Sequence, residues 1–290
     1  MALVLSVLEQ GFIYAILALG IYITYKILDF PDLTVDSSFP LGAAVCVVMI
    51  KAGINPYITL PVAFVAGGIS GLVTGIIHVK FKVRDLLSGI ITMTILYSIN
   101  LHITSGQANV PIFSDNTIFT ISPIANSTGD FNAVIVIFVV AFICKIAMDL
   151  YLKTKSGFLL RAVGDNDSVV TSLAKDKGTV KIIGLVIANA LVALAGCVMC
   201  QQQRFFDISM GTGTMVIGLA SVIIGTNVFG KLNFIKTTTA VLIGSIVYKA
   251  CVALAISAGL KAIDMKLVTG VLFLIILIIS SFKKGGADND

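Results

Sequence analysis

Charge is what this sequence has least of. Only 12% of its 290 residues are Asp, Glu, Lys or Arg, where an ordinary soluble domain has about a quarter. The five cysteines, Cys46, Cys144, Cys197, Cys200 and Cys251, all lie within apolar segments. "CVMC" at 197–200 has CxxC spacing, but no further Cys or His is near enough in sequence to complete a site. The thiols read as small packing residues, and no metal is expected. With two histidines, His78 and His102, and no HExxH, GxSxG or paired-aspartate pattern in an apolar segment, no covalent catalytic step is expected either. No segment holds a chain of acids that could relay protons; Asp149 sits one helical turn from Lys145 and is expected to pair with it. A cleavable secretory signal is not expected, because the first apolar run lacks a basic n-region and a small-residue cleavage site.

A complete phosphate loop is missing too. "GTNVFGKL", Gly225 to Leu232, fails the GxxxxGK[ST] pattern at Leu232, where a hydroxyl would bind magnesium. It also ends an apolar helix, whereas a phosphate loop opens one. Any ATP and magnesium that this protein uses are therefore expected in another chain, with no cofactor in this one.

What is present is apolar sequence in long runs. The chain is 57% hydrophobic with mean hydropathy +1.03, and roughly 20 apolar residues suffice to cross a bilayer. The runs are continuous rather than alternating, which argues against a barrel. The expected fold is an all-α polytopic membrane protein of about eight or nine transmembrane helices. Hydropathy and breakers place them at 3–26, 39–52, 56–77, 86–105, 132–152, 181–203, 213–230, 237–258 and 266–282. The second is short and follows "DFPDLTVDSSFP", so a broken or re-entrant helix is expected there.

Lys and Arg collect in alternate loops, at Lys80, Lys82 and Arg84, at Lys153 to Lys181, at Lys231 and Lys236, and at Lys283 and Lys284. The positive-inside rule makes these loops cytoplasmic. The C-terminus is then inside, loop 106–131 outside, and the N-terminus outside provided that the second segment crosses. "DLTVDSSFPLGAA" from Asp32 and "DISMGTGTMVIGLA" from Asp207 echo one another on opposite sides. That is the pattern of two inverted-topology halves with broken helices, between which substrate binds. On this division one transmembrane domain spans 1–290. It comprises a first half (about 1–105), the external loop 106–131, a linking helix 132–152, a cytoplasmic loop 153–180 and a second half (181–282).

Small residues line two faces, Gly67, Gly71 and Gly75 in one half and Gly211, Gly218 and Gly225 in the other. Such faces let membrane helices approach closely. Polar groups within the spans are few. Asn100 and Asn189 are candidates for the translocation path or for hydrogen bonding between helices. Ser37, Ser38, Thr212 and Thr214, at the broken helices, are candidates for the path. Lys249 lies mid-span without an acid in its own helix, a costly placement that implies a cavity, a partner or an interface to which it snorkels.

The cytoplasmic stretch "SGFLLRAVGDN", Ser156 to Asn166, is similar to the signature of permease subunits of ABC importers of the branched-chain amino acid and ribose type. "LALGIYITYKILDFPDLTVDSSFPLGAA", Leu17 to Ala44, resembles a subgroup associated with uptake of an aromatic amino acid, tryptophan or tyrosine. The resemblance covers nearly the whole chain. Asp167 stands where the family often has Pro, and "SLAKD" replaces an Ala-rich turn. The resemblance implies a bacterial cell-membrane protein that passes a small solute, most often an amino acid, without being an enzyme. It also implies the partners: a cytoplasmic ATP-binding cassette ATPase, an external substrate-binding lipoprotein and a second permease subunit, as a homodimer. Lipid surrounds the chain, and nucleic acid is not a partner. The resemblance assigns coupling to the ATPase to Gly157, Arg161, Gly164, Asp165 and Asn166. Independently, Gly157 and Gly164 permit tight reversals, and Asp165 to Asp167 can cap a helix over "SVVTSLAKD". The alternatives are a self-sufficient secondary transporter or channel, or an importer of the same family for a sugar or nucleoside.

Overall fold

A computed structural model of the chain describes residues 2–122, 129–165, 176–230, 235–259 and 265–285. Helix dominates because a chain in hydrocarbon must satisfy every backbone N–H and C=O internally. In order, α1 (Ala2–Ile21) continues into a π-helical turn (Tyr22–Ile27), followed by α2 (Val35–Lys51), α3 (Pro56–Val79) and α4 (Asp85–Ile103). A short strand β1 (Asn109–Pro111) and the single turn α5 (Ile118–Ile121) lead to α6 (Asn132–Tyr151) and α7 (Lys155–Asp165). Then come α8 (Lys177–Gln203), strand β2 (Phe205–Asp207), α9 (Thr214–Ile224) with a π-helical end (Gly225–Phe229), α10 (Thr237–Ser257) and α11 (Met265–Gly285). The two strands pair antiparallel, with Val110 opposite Phe206 and both side chains buried.

Among the described residues, seven helices are long and apolar enough to cross a membrane, against the eight or nine expected from hydropathy. The second expected span becomes α2, a buried helix of 17 residues. It is short because Asp29 (φ 51) and the following Pro31 break the chain after α1, and helix resumes only at Val35. The ninth expected span is α11, whose apolar stretch over the described side chains is limited to Leu267–Ile278.

The most buried of the seven is α8, which lies between α2 and α3. Its backbone is approached where the neighbouring helices carry glycine. A Cβ on Gly67 or Gly71 would strike the carbonyls of Asn189 and Leu185, and one on Gly42 the carbonyl of Ala193. Conversely, a Cβ on Gly196 of α8 would strike the Phe39 carbonyl of α2. The face of Gly67, Gly71 and Gly75 is thus a packing seam against α8. Gly211, Gly218 and Gly225 instead meet three separate neighbours: the Asp36 carbonyl, the Leu17 and Ile21 side chains, and the Ala240 carbonyl.

Packing is exchanged between the two ends of the chain. α8 packs on α2 and α3, while α1 packs on α9 and α10. The two aspartates of the echoed stretches make the same local bond as well. Asp32 accepts from the Thr34 amide (2.9 Å) and Asp207 from the Ser209 amide (2.8 Å). At Asp207, which lies outside the spans, partial burial pulls the carboxyl upward. The Ser209 hydroxyl and amide outweigh this and hold it below its ordinary value.

Adjacent glycines offer a test of the seam. Gly71→Ala places a methyl on the Leu185 carbonyl, whereas Gly68→Ala meets Val186 at 3.5 Å and Ala190 at 3.9 Å, ordinary contacts. The overpacked variant should lose about 1–3 kcal/mol, seen as a lower melting temperature in detergent, and Gly68→Ala should melt like the parent. Equal melting temperatures for the two would remove the seam from the account.

Candidate functional site

The interior contains a polar core built across three helices and the loop before α2. Asn189 of α8 donates from Nδ2 to Asp32 Oδ2 (2.7 Å) and to the Leu185 carbonyl (3.1 Å), and its Oδ1 accepts from the Ser38 hydroxyl (2.8 Å). The Ser70 hydroxyl of α3 lies 2.8 Å from that of Ser38, and Thr34 and Thr74 are joined at 2.8 Å. All six side chains are buried. Polar groups in such a place stay only where each finds a partner.

Beside it lies the broken start of α9. Gly213 (φ 84) precedes the helix and has no side chain with which to cap it. Asp36 of α2 supplies the cap. Its Oδ2 accepts from the Gly213 amide (3.1 Å), and its Oδ1 accepts from the Met215 amide (2.9 Å) and the Thr214 hydroxyl (3.1 Å). A helix start leaves free N–H groups and a partial positive charge, which a carboxylate satisfies where water is scarce. One residue on, the Ser37 hydroxyl donates to the Met93 carbonyl of α4 (2.9 Å), and Asn100 donates from Nδ2 to the Ser37 carbonyl (3.1 Å).

The residues expected along the path thus fall into two groups. Ser37, Ser38, Asn100, Asn189 and Thr214 are buried and hydrogen-bonded within the bundle, Ser38 with Asn189 and Ser37 with Asn100. Thr212 is exposed and lines a cavity of about 310 Å³ with Gly213, Tyr14, Tyr248 and Lys249. Lys249 is itself buried. Its Nζ lies 3.9 Å from the centre of the Tyr14 ring and donates to Gln10 Oε1 at 3.3 Å. Asp32, Asp36, Tyr14 and Tyr248 were not among the residues singled out from sequence. The only signal was that Asp32 opens the echoed stretch and Asp36 lies inside it.

At the basic end of the bundle, α7 carries the signature stretch. Gly157 and Gly164, expected to permit reversals before a following helix, both lie inside one continuous helix. They are small because the helix is pressed against backbone. A Cβ on Gly157 would strike Tyr151 and Leu152, and one on Gly164 would strike the Ile27 carbonyl at the π-helical end of α1. Leu160 and Val163 are buried beneath the helix, while Phe158 (62% exposed) and Arg161 face outward. Asp165 ends the described helix; Asn166 and most of the helix expected over "SVVTSLAKD" lie outside the described residues. Further on, Asp176 caps α8, accepting from the Gly178 and Thr179 amides, both at 3.1 Å. The Thr179 hydroxyl, with those amides, holds its carboxyl below the ordinary value. Asp149 bonds not only to Lys145 (2.9 Å), as expected, but also to Lys236 (3.1 Å) of the loop before α10. Among the described residues, no group of three or more His, Cys, Asp or Glu could hold a metal ion.

Comparison with known proteins adds to this geometry. Residues 3–280 match the family described as branched-chain amino acid transport system / permease component. The chain is 44% identical to the tyrosine transport system permease protein of Clostridioides difficile, over 94% of this chain and 90% of that one. It is 29% identical to a probable branched-chain amino acid transport permease protein of Methanocaldococcus jannaschii (73% and 70% covered). It is 26% identical to the ribose import permease protein of Haemophilus influenzae (84% and 74%). No solved structure matches significantly.

The cap from α2 to α9 can be measured directly. Asp36→Ala leaves two backbone amides and a hydroxyl without their acceptor, so it should lower stability by about 0.5–2 kcal/mol. Hydrogen exchange should quicken first at residues 213–215. Parent-like exchange there would show that Asp36 does not hold the start of α9.

Proposed function

The chain belongs to the branched-chain amino acid transport permease family, and on that footing we propose that the solute it passes is an aromatic amino acid, tyrosine foremost. It is the multi-pass membrane component of an ATP-driven importer and not an enzyme. Such a component works with an ATPase and a substrate-binding protein. The single observation that carries the proposed substrate is the near full-length identity to a permease named for tyrosine. A sugar or nucleoside is less favoured, since the ribose permease is more distant.

The finer assignments are also proposals. ATP and magnesium are held by the cytoplasmic ATPase, which grips the outward side chains of α7, Phe158 and Arg161. The rest of the signature, Gly157, Gly164, Asp165 and Asn166, shapes that helix and its end. Movement of α7 passes to α1 through the contact of Gly164 with Ile27, and π-helical turns such as 22–27 are frequent at functional sites. Substrate passes beside Thr212, while Ser37, Ser38, Asn100, Asn189 and Thr214 brace the broken helices that border its route. The two ends of the chain form inverted halves, a reading supported by their exchanged packing and matched aspartate turns. The C-terminus is cytoplasmic and the N-terminus external. Contact of α7 with the end of α1 supports this, because it puts Ile27 on the basic side of the bundle. Two copies of the chain form the permease of a bacterial cell-membrane complex.

Reconstitution tests this. The chain in proteoliposomes with its ATPase and binding protein should take up radiolabelled tyrosine only while ATP is hydrolysed. The chain alone should move none under a sodium or proton gradient. Uptake without the ATPase would point to a secondary transporter, and uptake of ribose in place of tyrosine would reverse the choice of substrate.

A further inference from the structure

Lys249 is the one membrane-depth cation that the bundle leaves without an anion among its described residues. It is 8% exposed. At 1.5 Å per residue it stands about 18 Å along α10 from Thr237, in the middle of a helix that crosses the bilayer. The ion pairs among the described residues join Lys145 and Lys236 to Asp149, at the other end of the bundle. A buried ammonium is expensive unless it is paired, and an ionisable residue at this depth marks a substrate pathway by default.

Its surroundings take the positive charge without neutralising it. The ammonium has three N–H donors. One reaches Gln10 Oε1 at a long 3.3 Å, and the Tyr14 ring face, 3.9 Å away, attracts the charge through its quadrupole. Neither contact brings a negative charge. Lys249 also lines two cavities, one of about 260 Å³ between α1 and α10 and one of about 310 Å³ that reaches Thr212 at the broken start of α9. The second has the makeup of a small-molecule site: apolar and aromatic walls, here including Tyr14 and Tyr248, and a few convergent polar groups.

We infer that Lys249 is a carboxylate-binding residue of the permease itself, which receives the α-carboxylate of the transported amino acid in the cavity between α1, α9 and α10. This rests on the proposal that the solute is an amino acid and extends it by naming a contact in this chain. A passing carboxylate completes the charge pair that the fold leaves open. Tyr14 and Tyr248 line that cavity and put aromatic surface beside the ammonium, while Gln10 holds the ammonium in place between passages.

Equilibrium binding of radiolabelled tyrosine to the detergent-purified permease, without the binding protein, tests the inference. Unlabelled 4-hydroxyphenylpropionate, which keeps the carboxylate and lacks the amine, should compete. Tyramine, which lacks the carboxylate, should compete about tenfold less well or worse, as befits loss of a charged hydrogen bond. This comparison needs no variant and so does not depend on a substituted protein folding. Lys249→Gln should weaken tyrosine binding by a similar factor and abolish the preference for the carboxylate, and Lys249→Arg should retain it. Equal competition by the two compounds, or parent-like binding by Lys249→Gln, would overturn the inference. Carboxylate-dependent binding of leucine in place of tyrosine would uphold the role of Lys249 and overturn only the aromatic substrate.

Discussion

The structure depends on one close contact, the seating of α8 between α2 and α3 with carbonyl oxygens where side chains would normally stand. Gly42, Gly67 and Gly71 admit the α8 backbone, and Gly196 admits that of α2. In lipid there is no hydrophobic drive to bring helices together, so shape and polar bonds must do it. Shape comes from the glycines, and the bond is Asn189 to Asp32 and Ser38. That triad fixes depth as well as proximity, since sliding α8 by one turn would take the Asn189 donor away from the buried Asp32 Oδ2. The loop before α2 is therefore held inside the bundle, and with it the position of Asp36. The start of α9 hangs from Asp36 in turn. A helix break that would be costly in hydrocarbon is thus stabilised by a residue from the opposite end of the chain.

This order separates a closely packed part from a part lined by cavities. The triad and its glycine seam are closed, with every path candidate in them already bonded. Around Thr212 and Lys249 the packing opens into cavities instead. At the basic end of the bundle, α7 rests on α1 through glycine at Gly164, and α1 runs from there to Tyr14 in the cavity wall. One helix therefore joins the surface proposed for the ATPase with the cavity proposed for the substrate. The π-helical turn at 22–27 lies on that line.

The fold class was legible because it follows from composition: a chain so apolar has few ways to satisfy its backbone. The small face of Gly67, Gly71 and Gly75 was legible from helical spacing, and the signature of α7 from its residues. The span count was legible only in part: the short, broken second segment was, but α2 has only 17 residues and the apolar stretch of α11 over the described side chains is limited to Leu267–Ile278. The roles of Asp32 and Asp36 were not. Their partners lie 157 and 177 or more residues away, and no local pattern encodes such a pairing. The close approach of the α7 glycines is hidden from sequence for a related reason. In sequence, a glycine that permits a turn and one that permits contact look alike, and only the Ile27 carbonyl tells them apart.

The central claim is that work done on α7 reaches the bundle through the contact of Gly164 with Ile27. Coupling in the reconstituted complex of permease, ATPase and binding protein measures it most directly, with uptake and ATP hydrolysis followed together for Gly164→Val. That change leaves the outward side chains Phe158 and Arg161 themselves unsubstituted. The account predicts that the ATPase still assembles and hydrolyses ATP while uptake per ATP collapses. Parent-like uptake per ATP in the assembled variant would contradict it.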